Sequence, residues 1–317
     1  MAKQIPSELT GVFAALPTPF GPEGNTLFDA LDALVDYVLG CGLKGLCLGG
    51  ATGEYAACSV EQRIAIFQRV ACRVKGRAQL ICGIGGEHAG QVRQLARAAA
   101  ECGAIALLFP PPGFLPYGQD NLVDFMGQVS ADLPLPVLLY HIPQCAGDLG
   151  MANVLRLIAS VPNIIGLKDS SGHRPNLAEI QATQAHQPMV FMIGSDDLLL
   201  EALERGAAGS ISGIASACPE LILSAYDAMR AGNTEQARAL QARVDEFISH
   251  LRDLPVPWAV KLALQTRGLK IGSMTWPMGA KLGQKAQEFQ QWFAGQINRD
   301  GDKGDSEENS PRHPQVR

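Results

Sequence analysis

A chain of 317 residues that is 47% hydrophobic and 18% charged, with 34 glycines in no regular period, excludes collagen, coiled coil and wholesale disorder. The net charge of −5, from 26 Lys+Arg against 31 Asp+Glu, leaves no basic surface for nucleic acid or for an anionic membrane. Small-molecule partners are therefore expected.

Short apolar runs alternate with longer amphipathic stretches. They are GVFAAL (11–16), GLCLGG (45–50), AQLICGI (78–84), AIALLFP (104–110), PVLLYH (136–141), IIGLKD (164–169), MVFMIGS (189–195) and GSISGI (209–214). Each of the first seven is followed by helical spacing, as in Leu31, Leu34, Val35 and Val38, or Ile64, Phe67 and Val70. Eight such units predict an α/β fold, a (β/α)8 TIM barrel over residues 1–218. An open doubly wound sheet would place a glycine fingerprint after the first strand, and LPTPFGPEGN does not match it. GGATGE and GIGGEHAG complete neither a dinucleotide pattern nor a P-loop.

Past the eighth run, residues 219–252 and 257–296 carry further helices joined by DLPVPW, which predicts a C-terminal helical extension over 219–297. The polar stretch 298–317 predicts a disordered tail. The N-terminus lacks the apolar core of a signal peptide, and no apolar run approaches the roughly 18 residues of a membrane span. The eight cysteines form no CxxC pair and read as thiols in a reducing compartment, so the protein is expected to be cytoplasmic.

Barrel chemistry sits at the C-terminal ends of strands, so the polar residues that end the apolar runs are the candidates. Lys168 ends the sixth. It is read either as a Schiff-base lysine or as a lysine salt-bridged to Asp169 or another carboxylate. Tyr140 ends the fifth, as a proton shuttle or as an aromatic cap on the core. After the second run, the small residues and Thr52 of GGATGE allow backbone N–H groups to converge on a carboxylate, while Glu54 helps fix the turn. The six histidines form no HxH or HExxH pair, so neither a metal nor a cofactor is expected. Cys145 lacks the histidine motif that would orient a thiol nucleophile.

With ALPTPF, GATGE, Tyr140 to Pro143 as Tyr-x-x-Pro, GLKDSSG, GSDD and GSISG in this order, the chain resembles the dihydrodipicolinate synthase and N-acetylneuraminate lyase family of pyruvate-dependent class I aldolases. The resemblance covers about residues 8–296. It implies a homotetramer in which Lys168 forms an imine with pyruvate and Tyr140 moves protons. It further implies that Thr52, with the adjacent Ala51 backbone, Gly194 and Ile211, surrounds the keto-acid carboxylate.

Three departures bear on the substrate. Cys145 stands where the synthases carry an arginine that grips the second substrate's carboxylate, and Ala51 and Pro112 stand where their proton relay has a threonine and a tyrosine. Tyr117 replaces that phenol only if its loop folds back. Asp196, Asp197 and Ser210 match positions where the lyases bind sugar hydroxyls, which suits a polyol and repels a second carboxylate. The two aspartates are alternatively an N-cap and a first-turn acid of the next helix. The reading that follows is a lyase that cleaves or forms a 2-keto-3-deoxy sugar acid from pyruvate and a hydroxyaldehyde. Dihydrodipicolinate synthesis, dehydration of a keto-deoxy acid, and a non-catalytic keto-acid-binding barrel are the alternatives.

Overall fold

A computed structural model describes residues 5–251 and 254–307, with side chains as far as Ile297. Eight parallel strands form the barrel: β1 (Gly11–Ala15), β2 (Gly45–Leu48), β3 (Gln79–Gly83), β4 (Ala106–Phe109), β5 (Val137–His141), β6 (Ile164–Asp169), β7 (Val190–Ile193) and β8 (Gly209–Ser212). Each pairs with its sequence neighbour, and β8 pairs back to β1. Seven helices follow the first seven strands: α1 (Phe28–Gly40), α2 (Val60–Val74), α3 (Ala89–Glu101), α4 (Gln119–Ala131), α5 (Met151–Ser160), α6 (Pro175–Gln184) and α7 (Leu199–Glu204). All eight expected strands and the barrel are present. Among the described residues no helix is long and apolar enough to cross a membrane.

Strand alternation divides the core into two layers. Phe13, Cys47, Ile81, Leu108, Leu138 and Met192 fill the barrel interior. Their neighbours Val12, Leu46, Leu80, Leu107, Leu139 and Phe191 pack outward against the helices. The bulkiest interior ring, Phe13, is accommodated by Gly45 on the adjacent strand, where a Cβ would lie 2.5 Å from the ring.

One interruption of this alternation aims the lysine. Val137 pairs with Ile164 but Leu138 pairs with Gly166, so β6 carries one extra residue, a bulge at Ile165. Ile164 faces outward and Ile165 inward, and after the bulge Leu167 faces outward again. Lys168, paired with Tyr140 on β5 and Met192 on β7, is thereby turned into the barrel. With unbroken alternation from Ile164 it would point at the helices.

After β8 come α8 (Ile214–Ala217), α9 (Pro219–Arg230), α10 (Thr234–Leu251), α11 (Val256–Thr266) and α12 (Ala280–Glu307). The expected extension begins at α9, but α9 packs on β1 and α7 in the place of the barrel's eighth helix. The two expected helical stretches each divide in two. Gly232 and Gly268, with φ of +75° and +88°, take up the left-handed conformation that ends a helix. Helix α12 runs to Glu307, past the expected start of the tail at 298, and the first proline that would stop it is Pro311. The rest of the expected tail, 308–317, lies outside the described residues.

Candidate active site

Lys168 and Tyr140 are both buried at the C-terminal mouth of the barrel, 3% and 4% exposed. Lys168 Nζ donates to the Tyr140 hydroxyl at 3.3 Å and lies 4.3 Å from the centroid of its ring. Among the described residues no carboxylate forms an ion pair with Lys168. Asp169 faces the other way. Its carboxylate accepts from the Ser171 N–H at 3.0 Å and from Asn176 Nδ2 at 3.4 Å. The salt-bridged reading of Lys168 therefore finds no ion-pair partner among the described residues, and the Tyr140 hydroxyl is directed at the lysine rather than out into water.

Both residues line a cavity of about 480 Å³. Of the expected site residues, Ala51, Thr52, Gly194, Asp196, Asp197 and Ile211 line it as well. Ser210 does not. It precedes the inward-facing Ile211 and so faces the helix layer, fully buried; its position in a strand read only as a motif hid that phase. The residues of that stretch that reach the cavity besides Ile211 are Gly213 and Ile214. Cys145, on the loop after β5, also lines the cavity. Tyr117 is 44% exposed on the β4–α4 loop and does not reach the cavity, and Pro112, on the same loop, is buried.

The turn after β2 is braced from two sides. Thr18, from the opening LPTPF segment, donates to the Gly53 carbonyl at 2.7 Å. Glu54, held at φ 51°, pairs with Lys261 of α11, and the Thr275 hydroxyl donates to its other oxygen at 2.5 Å. Lys261 is completely buried, with its ammonium 4.7 Å from the centroid of the Phe20 ring. Burial pushes its pKa down, and Glu54 opposes that shift. A Ser59–Gln62 capping box then starts α2, fixing the far end of the loop. The Thr52 side chain is thus held by a turn anchored in the C-terminal extension.

Gly194 is required by contact rather than by its backbone angle. A Cβ there would lie 2.0 Å from Ser170 Oγ and 2.4 Å from Lys168 Cε. Gly194→Ala is expected to displace the lysine and lower kcat/KM by about 10²-fold while the protein stays folded, as steady-state kinetics beside a melting curve would check.

Asp196 and Asp197 open the 3-10 turn 196–198 that leads directly into α7, so both are first-turn acids, as the alternative reading had it. Neither is the N-cap, which is Ser195 for that turn and Leu198 for α7, with no side-chain cap bond at either. Asp196 is buried, lines the cavity, and its Oδ1 has no protein partner. Burial raises its pKa to about 6, against the Ser212 hydroxyl, the Lys168 charge and the Ile214 N–H, which lower it. The folded state therefore holds this proton more tightly than the unfolded chain does. The stability so gained is complete below about pH 4 and is lost as pH rises through about 6. Asp196→Asn is expected to stabilise the protein at pH 8, by up to about 3 kcal/mol, and to change little near pH 4; denaturant titrations at the two pH values would measure it.

Two further residues were not found from the sequence. Ser170 lines the cavity with a buried hydroxyl that has no protein partner, and Gln144 spans from the β5 loop to donate to the Ser170 carbonyl at 2.7 Å. Ser170 lies two residues beyond Lys168 and was legible from spacing. Nothing local marks Lys261, whose partner is 207 positions away.

The sequence profile of the dihydrodipicolinate synthetase family matches residues 8–294. The chain belongs to this family. It is therefore a class I aldolase or lyase of the pyruvate-dependent kind, as its motifs suggest. Over 271 residues it is 31% identical to a 4-hydroxy-tetrahydrodipicolinate synthase of Bacillus subtilis, covering 84% of this chain and 92% of that one. It is 32% identical to a DapA-like lyase of Halobacterium salinarum, covering 86% and 89%. Among solved structures, the E. coli family member YagE, determined in complex with pyruvate, is similar at 26% identity with a TM-score of 0.82 over 89% of this chain and 97% of that one. An N-acetylneuraminate lyase from Mycoplasma synoviae shares the fold at 21% identity and a TM-score of 0.80, over 91% and 98%.

Proposed function

We propose that this family member cleaves, or forms, a 2-keto-3-deoxy sugar acid through an imine between Lys168 and pyruvate. The observation that carries the reading is the composition of one cavity. It joins a buried lysine and phenol to a carboxylate with a free oxygen, and its lining includes Cys145, which by the family resemblance stands in place of an arginine that would bind a second substrate carboxylate.

In the direction of synthesis, the Lys168 amine attacks C2 of pyruvate and water leaves, giving the imine. Tyr140, having given its proton to the hydroxyl that leaves as water, takes a proton from C3, and the enamine forms with the imine nitrogen as the electron sink. C3 then attacks the aldehyde carbon, and Tyr140 gives its proton to the alkoxide that forms at C4. Water finally hydrolyses the imine and frees the lysine. Thr52 and the backbone of its turn, beside Gly194 and Ile211, hold the pyruvate carboxylate. The carboxylates of Asp196 and Asp197 accept hydrogen bonds from the hydroxyls of the aldehyde portion.

The second reading, 4-hydroxy-tetrahydrodipicolinate synthesis, is favoured by the name of the Bacillus relative. The two are separated by assaying 2-keto-3-deoxygluconate cleavage against turnover of aspartate semialdehyde with pyruvate. Turnover of aspartate semialdehyde alone would overturn the sugar-acid reading and the role given to Cys145. Pyruvate binding with no turnover of either would favour the non-catalytic barrel. The proposal extends to a cytoplasmic homotetramer. Eight free cysteines and the exposed side chains of Phe114 and Leu115, 84% and 50% accessible on the β4–α4 loop, support it, and light scattering would test the assembly.

A further inference from the structure

The cavity is chemically two-sided. Its barrel side presents Tyr140, Lys168, Ser170, Asp196 and Asp197. Among the described residues, the side contributed by the C-terminal extension presents Ile248, Leu251, Pro255, Val256, Pro257 and Val260, none of which carries a side-chain donor or acceptor.

The backbone on that side is largely committed as well. Pro255 and Pro257 have no N–H. The Trp258 and Ala259 N–H groups both donate to the Pro255 carbonyl, at 2.9 and 3.1 Å, and the Leu251 carbonyl accepts from Leu254 at 2.7 Å. A hydroxyl brought against this wall loses water and gains little in return, whereas a methyl loses nothing.

We propose that the extension selects the far end of the aldehyde: the preferred partner is a 2-hydroxyaldehyde that ends in a methyl group rather than a hydroxymethyl group. This inference rests on the imine aldolase reading above and deepens it. The hydroxyls near the reacting carbon face Ser170 and Asp196, and the terminal carbon meets Val256 and Val260 of α11. The specificity-determining residues are therefore in the extension and outside the barrel that does the chemistry.

The test is condensation of pyruvate with lactaldehyde against glyceraldehyde, both as separate enantiomers, compared as kcat/KM. These aldehydes differ by one terminal hydroxyl. The expected preference is about 10- to 100-fold for lactaldehyde, the range over which a hydrophobic pocket discriminates against an added hydroxyl. Val256→Asn, at a position 57% exposed and so tolerant of change, is expected to bring the ratio to within about threefold of unity by supplying an amide partner. Val260→Thr, nearly isosteric, is expected to move it the same way. A wild-type ratio near one, or a preference for glyceraldehyde, overturns the inference and leaves the aldolase reading intact. So does a methyl preference that neither variant alters. No condensation with either aldehyde, while pyruvate still forms an imine, overturns the sugar-acid reading and this inference with it.

Discussion

Replacing Lys168 with alanine is expected to lower aldol cleavage or synthesis by on the order of 10⁴-fold or more, because no other residue in the cavity supplies an amine. The fold should survive. Lys168 makes no ion pair among the described residues, its hydrogen bond there is to a tyrosine, and Asp196, the buried carboxylate that feels its charge, is already shifted toward its neutral form. Tyr140→Phe gives the contrasting result. It should keep imine formation with pyruvate and lower kcat by about 10²- to 10⁴-fold, the contribution of a positioned acid–base group. Single-turnover experiments that follow imine formation separately from carbon–carbon bond formation would distinguish the two variants. If Lys168→Ala retains a substantial fraction of turnover, the imine does not lie on the path.

The second large effect is at Lys261, far in sequence from anything the chemistry touches. Lys261→Met leaves the Glu54 carboxylate, inside the protein, with only the Thr275 hydroxyl as a side-chain partner among the described residues. Breaking one side of a buried ion pair costs about 3–5 kcal/mol. For a protein of this size that corresponds to a fall in Tm of roughly 5–8 °C. Loss of the anchor also frees the turn that carries Thr52, so KM for pyruvate is expected to rise more than kcat falls. The double variant Glu54→Gln/Lys261→Met removes both charges and should recover more than half of the lost stability. An undiminished Tm in Lys261→Met would mean that the pair does not hold the extension to the barrel.

The pairing of Lys168 with Tyr140 was legible because both end apolar runs on consecutive strands of a barrel, and neighbouring parallel strands place their ends side by side. What turned Lys168 inward was not legible. The Ile165 bulge changes the facing of every residue after it, and nothing in the run IIGLKD announces an extra residue. The same blindness to phase put Ser210 in the site. Next to Ile211 in the sequence, it faces the opposite side of the sheet, and only the strand register reveals this.

The β2 turn shows a different limit. Ala51 and Thr52 of this turn line the cavity, and Glu54 fixes the turn as expected. The partner that does the fixing comes from α11, beyond the reach of any local pattern. Helix boundaries in the extension depend on Gly232 and Gly268, which are single glycines among 34 and are distinguished only by their left-handed backbone.

The most direct test is borohydride reduction of the wild-type protein with pyruvate, followed by peptide mass mapping. A reduced pyruvyl adduct on the peptide that contains Lys168, absent from Lys168→Ala, is the predicted result. A folded protein that yields no adduct, or one that yields it on a different lysine, would contradict the assignment of Lys168 as the imine-forming residue.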